Sequence, residues 1–123
     1  IKVVINASVS DKKIILKDVK DIFTGRMRHC KDGQLIKVVL VEDSGSHHLF
    51  CDRILDNSPR RIRHLWDRIQ YAGFGLGPIE TSSENEMLKK VATTPGAIGY
   101  IDVSQFSPET LKTIGGIYVL PIE

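Results

Sequence analysis

Hydrophobic positions in this chain switch repeatedly between runs and helical spacing. The opening Ile1-Lys2-Val3-Val4-Ile5 reads as a strand over 2–6, followed by the polar Ala7-Ser8-Val9-Ser10. Leu16, Val19, Ile22 and Phe23 then recur at spacings of three and four, one face of a helix, and Gly25 supplies its stop. "RMRHCKDGQL" is a polar loop in which Asp32-Gly33 marks a turn. Residues 36–41, Ile-Lys-Val-Val-Leu-Val, are apolar at nearly every position, as in a strand covered on both faces.

Beyond that strand lies "VEDSGSHHLF", a tight turn at Ser44-Gly45-Ser46 that leads into a helix through Leu55. Ser58-Pro59 is an N-cap followed by a first-turn proline, and Ile62, Leu65, Trp66 and Ile69 carry the next helix. "GFGLGP" breaks it. Ser83-Glu84-Asn85-Glu86 has the form of a capping box ahead of Met87, Leu88 and Val91. Pro95-Gly96 stops that helix and feeds a strand over 97–101; Ser107-Pro108 repeats the helix start, and 117–120 is a last strand. Helices alternate with strands throughout. The expected fold is therefore α/β, a mixed, mostly parallel sheet with helices on both faces, in one domain spanning 1–123.

Composition narrows the function more by exclusion than by indication. The chain has 123 residues, 41% apolar and 26% charged, with a net charge of +2 that demands no oppositely charged partner. There is no run of about 18 apolar residues, and so no expected membrane span. Arg60, Arg61, Arg63, His64 and Arg68 make the Trp66 helix locally basic. A core tryptophan on an amphipathic helix with a solvated basic face explains this pattern, and nucleic acid is not an expected partner. Gly73, Gly75 and Gly77 follow a helix and precede a proline, so they form a turn and not a nucleotide loop, with Phe74 exposed in it.

His47 and Cys51 lie four apart, and His29 and Cys30 are adjacent, but no Cys-x-x-Cys or paired-histidine spacing supports a zinc site. No metal or cofactor is expected. Cys30 and Cys51 are either a disulfide or two buried thiols, a choice the spacing leaves open. No catalytic motif or triad is evident, and the expectation is a protein that is not an enzyme.

Three segments together resemble one family. "DVKDIFTG", "NSPRRIRHLWDRIQYAGFG" and "VATTPGAIGYID" are similar, in order and spacing, to stretches of the phosphate-type periplasmic solute-binding proteins of ABC transporters. The resemblance implies a type II periplasmic-binding-protein fold, here as a single lobe like that of the short members. It implies a bacterial, extracytoplasmic location with a signal peptide removed, phosphate or another small oxyanion as ligand, and an ABC transporter permease or other protein as partner. In that family a Ser-Gly-Thr loop at a helix start holds the ligand, and it corresponds here to Ser44, Gly45 and Ser46. Leu40 stands where the phosphate binders carry an arginine four residues before the serine. An ungapped comparison with the short members puts His47 in the place of their arginine, a cation when protonated. Ser44, Gly45, Ser46 and His47 are thus the candidate ligand-binding residues, with Glu42 and Asp43 close by. The alternative is an orphan lobe serving as a protein-interaction module, with Phe74 and the basic helix facing the partner.

Overall fold

The structure, a computed structural model, describes residues 1–9, 14–30, 33–41, 45–72, 77–102 and 115–120, the side chain of Ser46 excepted. Strand β1 runs Lys2–Asn6, helix α1 Leu16–Phe23 and strand β2 Lys37–Val41. Helix α2, Gly45–Phe50, continues into a π turn at Cys51–Leu55, and α3 spans Pro59–Tyr71. Strand β3 is Ile79–Thr81, α4 Glu84–Thr93, β4 Ala97–Ile101 and β5 Ile117–Val119. The expected strands at 2–6 and 97–101 have these bounds.

The five strands form one sheet in the order β3-β2-β4-β1-β5. β2 is parallel to both of its neighbours, β3 and β4, whereas β1 runs antiparallel to both β4 and β5. The sheet is mixed as expected, with its parallel pairs gathered around β2. Helices cover both faces, and β4 shows why. Gly99 faces α4: a Cβ placed there would lie 2.9 Å from the Met87 sulfur and 3.1 Å from Val91 Cγ2. The absence of a side chain lets the helix approach the sheet this closely. Tyr100, one residue on and therefore on the other face, stacks on Phe50 at the end of α2, with ring centroids 4.1 Å apart. Phe23 of α1 meets Phe50 edge-on at 4.6 Å, so a three-ring cluster ties both helices to the central strand.

Local signals account for most helix ends. The Ser58 hydroxyl accepts the Arg61 N–H at 3.1 Å, with Pro59 opening α3 as expected. Gly25, at φ 81, ends the turn after α1 and leaves room for Ile69 and Trp66 of α3 above it. Trp66 is a core residue, and its indole N–H donates to the Phe23 carbonyl at 2.9 Å. Arg60, Arg61, Arg63, His64 and Arg68 are exposed around it, the solvated face expected. Asp56, in the left-handed conformation at φ 51, terminates the π turn, a geometry aspartate tolerates better than most residues.

Three features depart from the sequence reading. Leu16, placed on the buried face of α1, is 39% exposed: it is the first residue of the helix, one turn ahead of Val19, Ile22 and Phe23, which enter the core. The capping box of α4 is displaced by one residue. Ser83 accepts the Glu86 N–H, but the Glu86 carboxylate turns to Ser82, accepting its N–H at 3.1 Å and its hydroxyl at 2.7 Å. Ser82 offers two donors where Ser83 would offer one. The third departure is β3, not expected at all, which pairs with Val39–Val41 and whose Thr81 hydroxyl donates to the Leu40 carbonyl at 2.9 Å. Asp32, Phe74 and the Ser107-Pro108 helix start lie outside the described residues.

Candidate functional site

β2 delivers the chain to the candidate loop. Its apolar residues Val38 to Val41 are buried, so the strand end is anchored and the turn that follows has a defined origin. Ser44 lies outside the described residues, as do Glu42 and Asp43. Gly45 begins α2 and is exposed, and Ser46 follows it in the first turn. His47 is the first residue of the loop whose side chain can be followed inward, and it is half-buried.

The His47 ring lies between two protein partners. Its Nδ1 is 2.6 Å from the Tyr100 hydroxyl, and its Nε2 is 3.8 Å from the Cys51 sulfur one turn further along. The Tyr100 oxygen also accepts the N–H of Val41, at 3.0 Å, which leaves the phenol hydrogen and one lone pair for the imidazole. The two rings lie 5.9 Å apart and 30° from parallel. Both imidazole nitrogens therefore point into the fold and bridge β2, β4 and α2.

Burial governs the rest of this cluster. It raises the pKa of the Tyr100 phenol, against the smaller opposing effect of the Val41 hydrogen bond. It also pushes the Cys51 thiol up to about 11. A cysteine beside a histidine has the composition of a nucleophilic pair, but reactivity needs an accessible thiolate. Cys51 is buried and its raised pKa favours the thiol over the thiolate. Cys30 is likewise a buried free thiol, and the two cysteines are not joined. Among the described residues, no three His, Cys, Asp or Glu side chains gather as metal ligands.

Beside His47 a groove of about 650 Å³ opens between α2, α3 and the ends of β2 and β3. Leu40 and Trp66 contribute apolar wall, and His48, Arg60, Arg63 and His64 contribute polar wall. Arg63 is paired with Glu80 of β3 at 2.9 Å. The groove brings the histidines of α2 together with part of the basic face of α3. In sequence these looked unrelated, one a loop motif and the other a solvated helix face. The signal available was the arginine and histidine content of the first two turns of α3. What it lacked was the knowledge that β3 and α2 flank that helix. Tyr100, too, was legible only as a strand residue.

No protein-family model and no curated protein matches the chain. Solved structures do share its fold. PstS from Borrelia burgdorferi superposes with a TM-score of 0.71 at 16% identity, over 99% of this chain and 46% of that one. An ABC-type phosphate transport receptor from Vibrio cholerae gives a TM-score of 0.69 at 15% identity, over 98% of this chain and 45% of that one. The chain spans a little under half the length of these two receptors. At this level of identity the likeness is one of fold: an α/β lobe of the periplasmic-binding-protein type. The described residues contain no helix long and apolar enough to cross a membrane.

Proposed function

We propose that the protein is a non-catalytic, extracytoplasmic solute-binding-like lobe that takes phosphate or another small oxyanion at the start of α2. The observation that carries this reading is that α2 begins four residues after the carboxyl end of β2. β2 lies between two parallel neighbours, and in open α/β sheets ligands bind outside the carboxyl ends of such strands. The first turn of a helix leaves backbone N–H groups without intrahelical acceptors, and its dipole favours an anion there. Gly45, Ser46 and His47 occupy that turn, with Ser44 just ahead of it in the chain. The fold shared with the two phosphate-transport structures supports a solute-binding-like lobe. His47, with both nitrogens engaged, serves this site by its backbone N–H and by holding α2 against β4. An ABC transporter permease is the protein partner this reading implies.

The test is thermal unfolding in phosphate and in sulfate, at pH 5.5 and pH 7.5. A ligand at about 100 times its dissociation constant adds about 2.7 kcal/mol of stability. Ser44→Ala should abolish the shift. No stabilisation at millimolar anion at either pH would remove the solute-binding reading. Location has its own check, the presence of a cleavable leader in the precursor.

A second reading, a protein-interaction module without a small-molecule ligand, is favoured by one observation. Tyr71, at the end of α3, is 96% exposed and continues the basic face of that helix. Absence of any anion effect, together with loss of partner capture by Tyr71→Ser, is the outcome this alternative expects.

A further inference from the structure

We infer that the groove between α2 and α3 is a second binding site, and that it takes an organic anion with an apolar body. Its volume of about 650 Å³ corresponds to some twenty liquid waters at roughly 30 Å³ each. An inorganic oxyanion would leave most of it wet, whereas the size falls in the range of sites for small organic molecules.

The wall is also graded in character. At the start of α3 stand Arg60, Arg63 and His64, facing His48 of α2. Arg63 is neutralised by Glu80, but Arg60 has no ion-pair partner among the described residues and is exposed. Leu40, Ile62 and Trp66 form the floor. Asp67 and Gln70 close the far end, so acceptor groups lie about two turns of helix from Arg60. A ligand matched to this wall carries its carboxylate or phosphoryl head against Arg60 and His64. Its body lies over the tryptophan, away from Asp67. Arginine binds both head groups by paired N–H donors, so the head chemistry is shared between the two. Among the described candidate residues of the α2 loop, His47 is the one that also lines this groove.

Trp66 is the sole tryptophan of the chain, so any change in emission arises at this one side chain, which lines the groove. The experiment titrates phenyl phosphate, benzoate and inorganic phosphate into the wild-type protein, Arg60→Gln and Ser44→Ala. Expected is a saturable change in Trp66 emission with phenyl phosphate, benzoate or both. It should persist in Ser44→Ala and weaken about tenfold in Arg60→Gln, as loss of a charged hydrogen bond implies. Response to only one of the two organic anions assigns the head group. The inference is overturned if neither organic anion saturates by about 10 mM, well above a millimolar dissociation constant. It is equally overturned if Arg60→Gln titrates like the wild type, or if inorganic phosphate reproduces the same emission change. Phosphate stabilisation lost in Ser44→Ala bears only on the loop, so the two sites fail separately.

Discussion

The Nδ1 of His47 lies 2.6 Å from the hydroxyl of Tyr100, a residue 53 positions away in sequence. That oxygen also holds the N–H of Val41, the last residue of β2. One phenol therefore fixes both the end of the strand and the first turn of the helix after it.

Tyr100→Phe keeps the ring stacking on Phe50 but removes the oxygen, which leaves the buried Val41 N–H without this acceptor. The expected cost is about 1–3 kcal/mol, read from the midpoint of urea unfolding. A double-mutant cycle with His47→Ala should return a coupling energy of about 0.5 kcal/mol or more. Additive effects would show that the imidazole and the phenol do not support each other.

Alkaline pH should destabilise the fold through two buried groups, Cys51 and Tyr100. Burial raises both Cys51, from 9.0 to about 11, and Tyr100 above its ordinary value of 10.0. The unfolded chain then loses these protons first, so stability is complete below pH 9 and falls as pH rises through 9 to 11. Cys51→Ala should flatten the lower part of that decline. An unchanged slope in the variant would assign it to other groups.

Gly99→Ala tests the close approach of α4 to β4. The new methyl would meet Met87 and Val91 at 2.9 and 3.1 Å. Met87 can swing aside, but the branched Val91 cannot without moving the helix. Destabilisation of about 1–3 kcal/mol is expected in chemical denaturation. Pairing it with Met87→Leu should leave most of the loss in place, since the Val91 contact remains.

The start of α4 gives two separable effects. Ser83→Ala removes the side-chain cap and should cost about 1 kcal/mol. Hydrogen bonds from the Ser82 side chain and backbone hold the Glu86 carboxyl below its ordinary value of 4.5. Its contribution is therefore present above that value and is lost as pH falls below it. In Glu86→Gln the acid limb of the stability profile should be shallower, and an identical limb would show that the contact to Ser82 contributes nothing.

Much of the secondary structure was legible because its causes are local. Ser58-Pro59 starts α3, Ser83 starts α4, and the apolar runs at 2–6 and 97–101 become strands. In each case the deciding groups lie within a few residues of one another. β3 was not legible, because three residues with one buried position carry almost no period. It exists because β2 offers a parallel edge and because the Leu40 carbonyl accepts from Thr81. Where local chemistry offered two partners, as Glu86 found with Ser82, sequence spacing named the wrong one.

The sequence alone determined that this is an α/β lobe, where most of its helices begin, and that a Ser-Gly-Ser stretch leads from β2 into the next helix. The tertiary structure decided what surrounds the start of that helix. It set the strand order and directed both nitrogens of His47 toward Tyr100 and Cys51. It also brought Arg60 and His64 to a groove shared with His48. The division has a physical basis. Caps, turns and periodicity act through hydrogen bonds and packing over one or two turns of chain. Strand pairing and side-chain partnership join residues tens of positions apart, where many alternatives satisfy the same local pattern and only the assembled core selects among them.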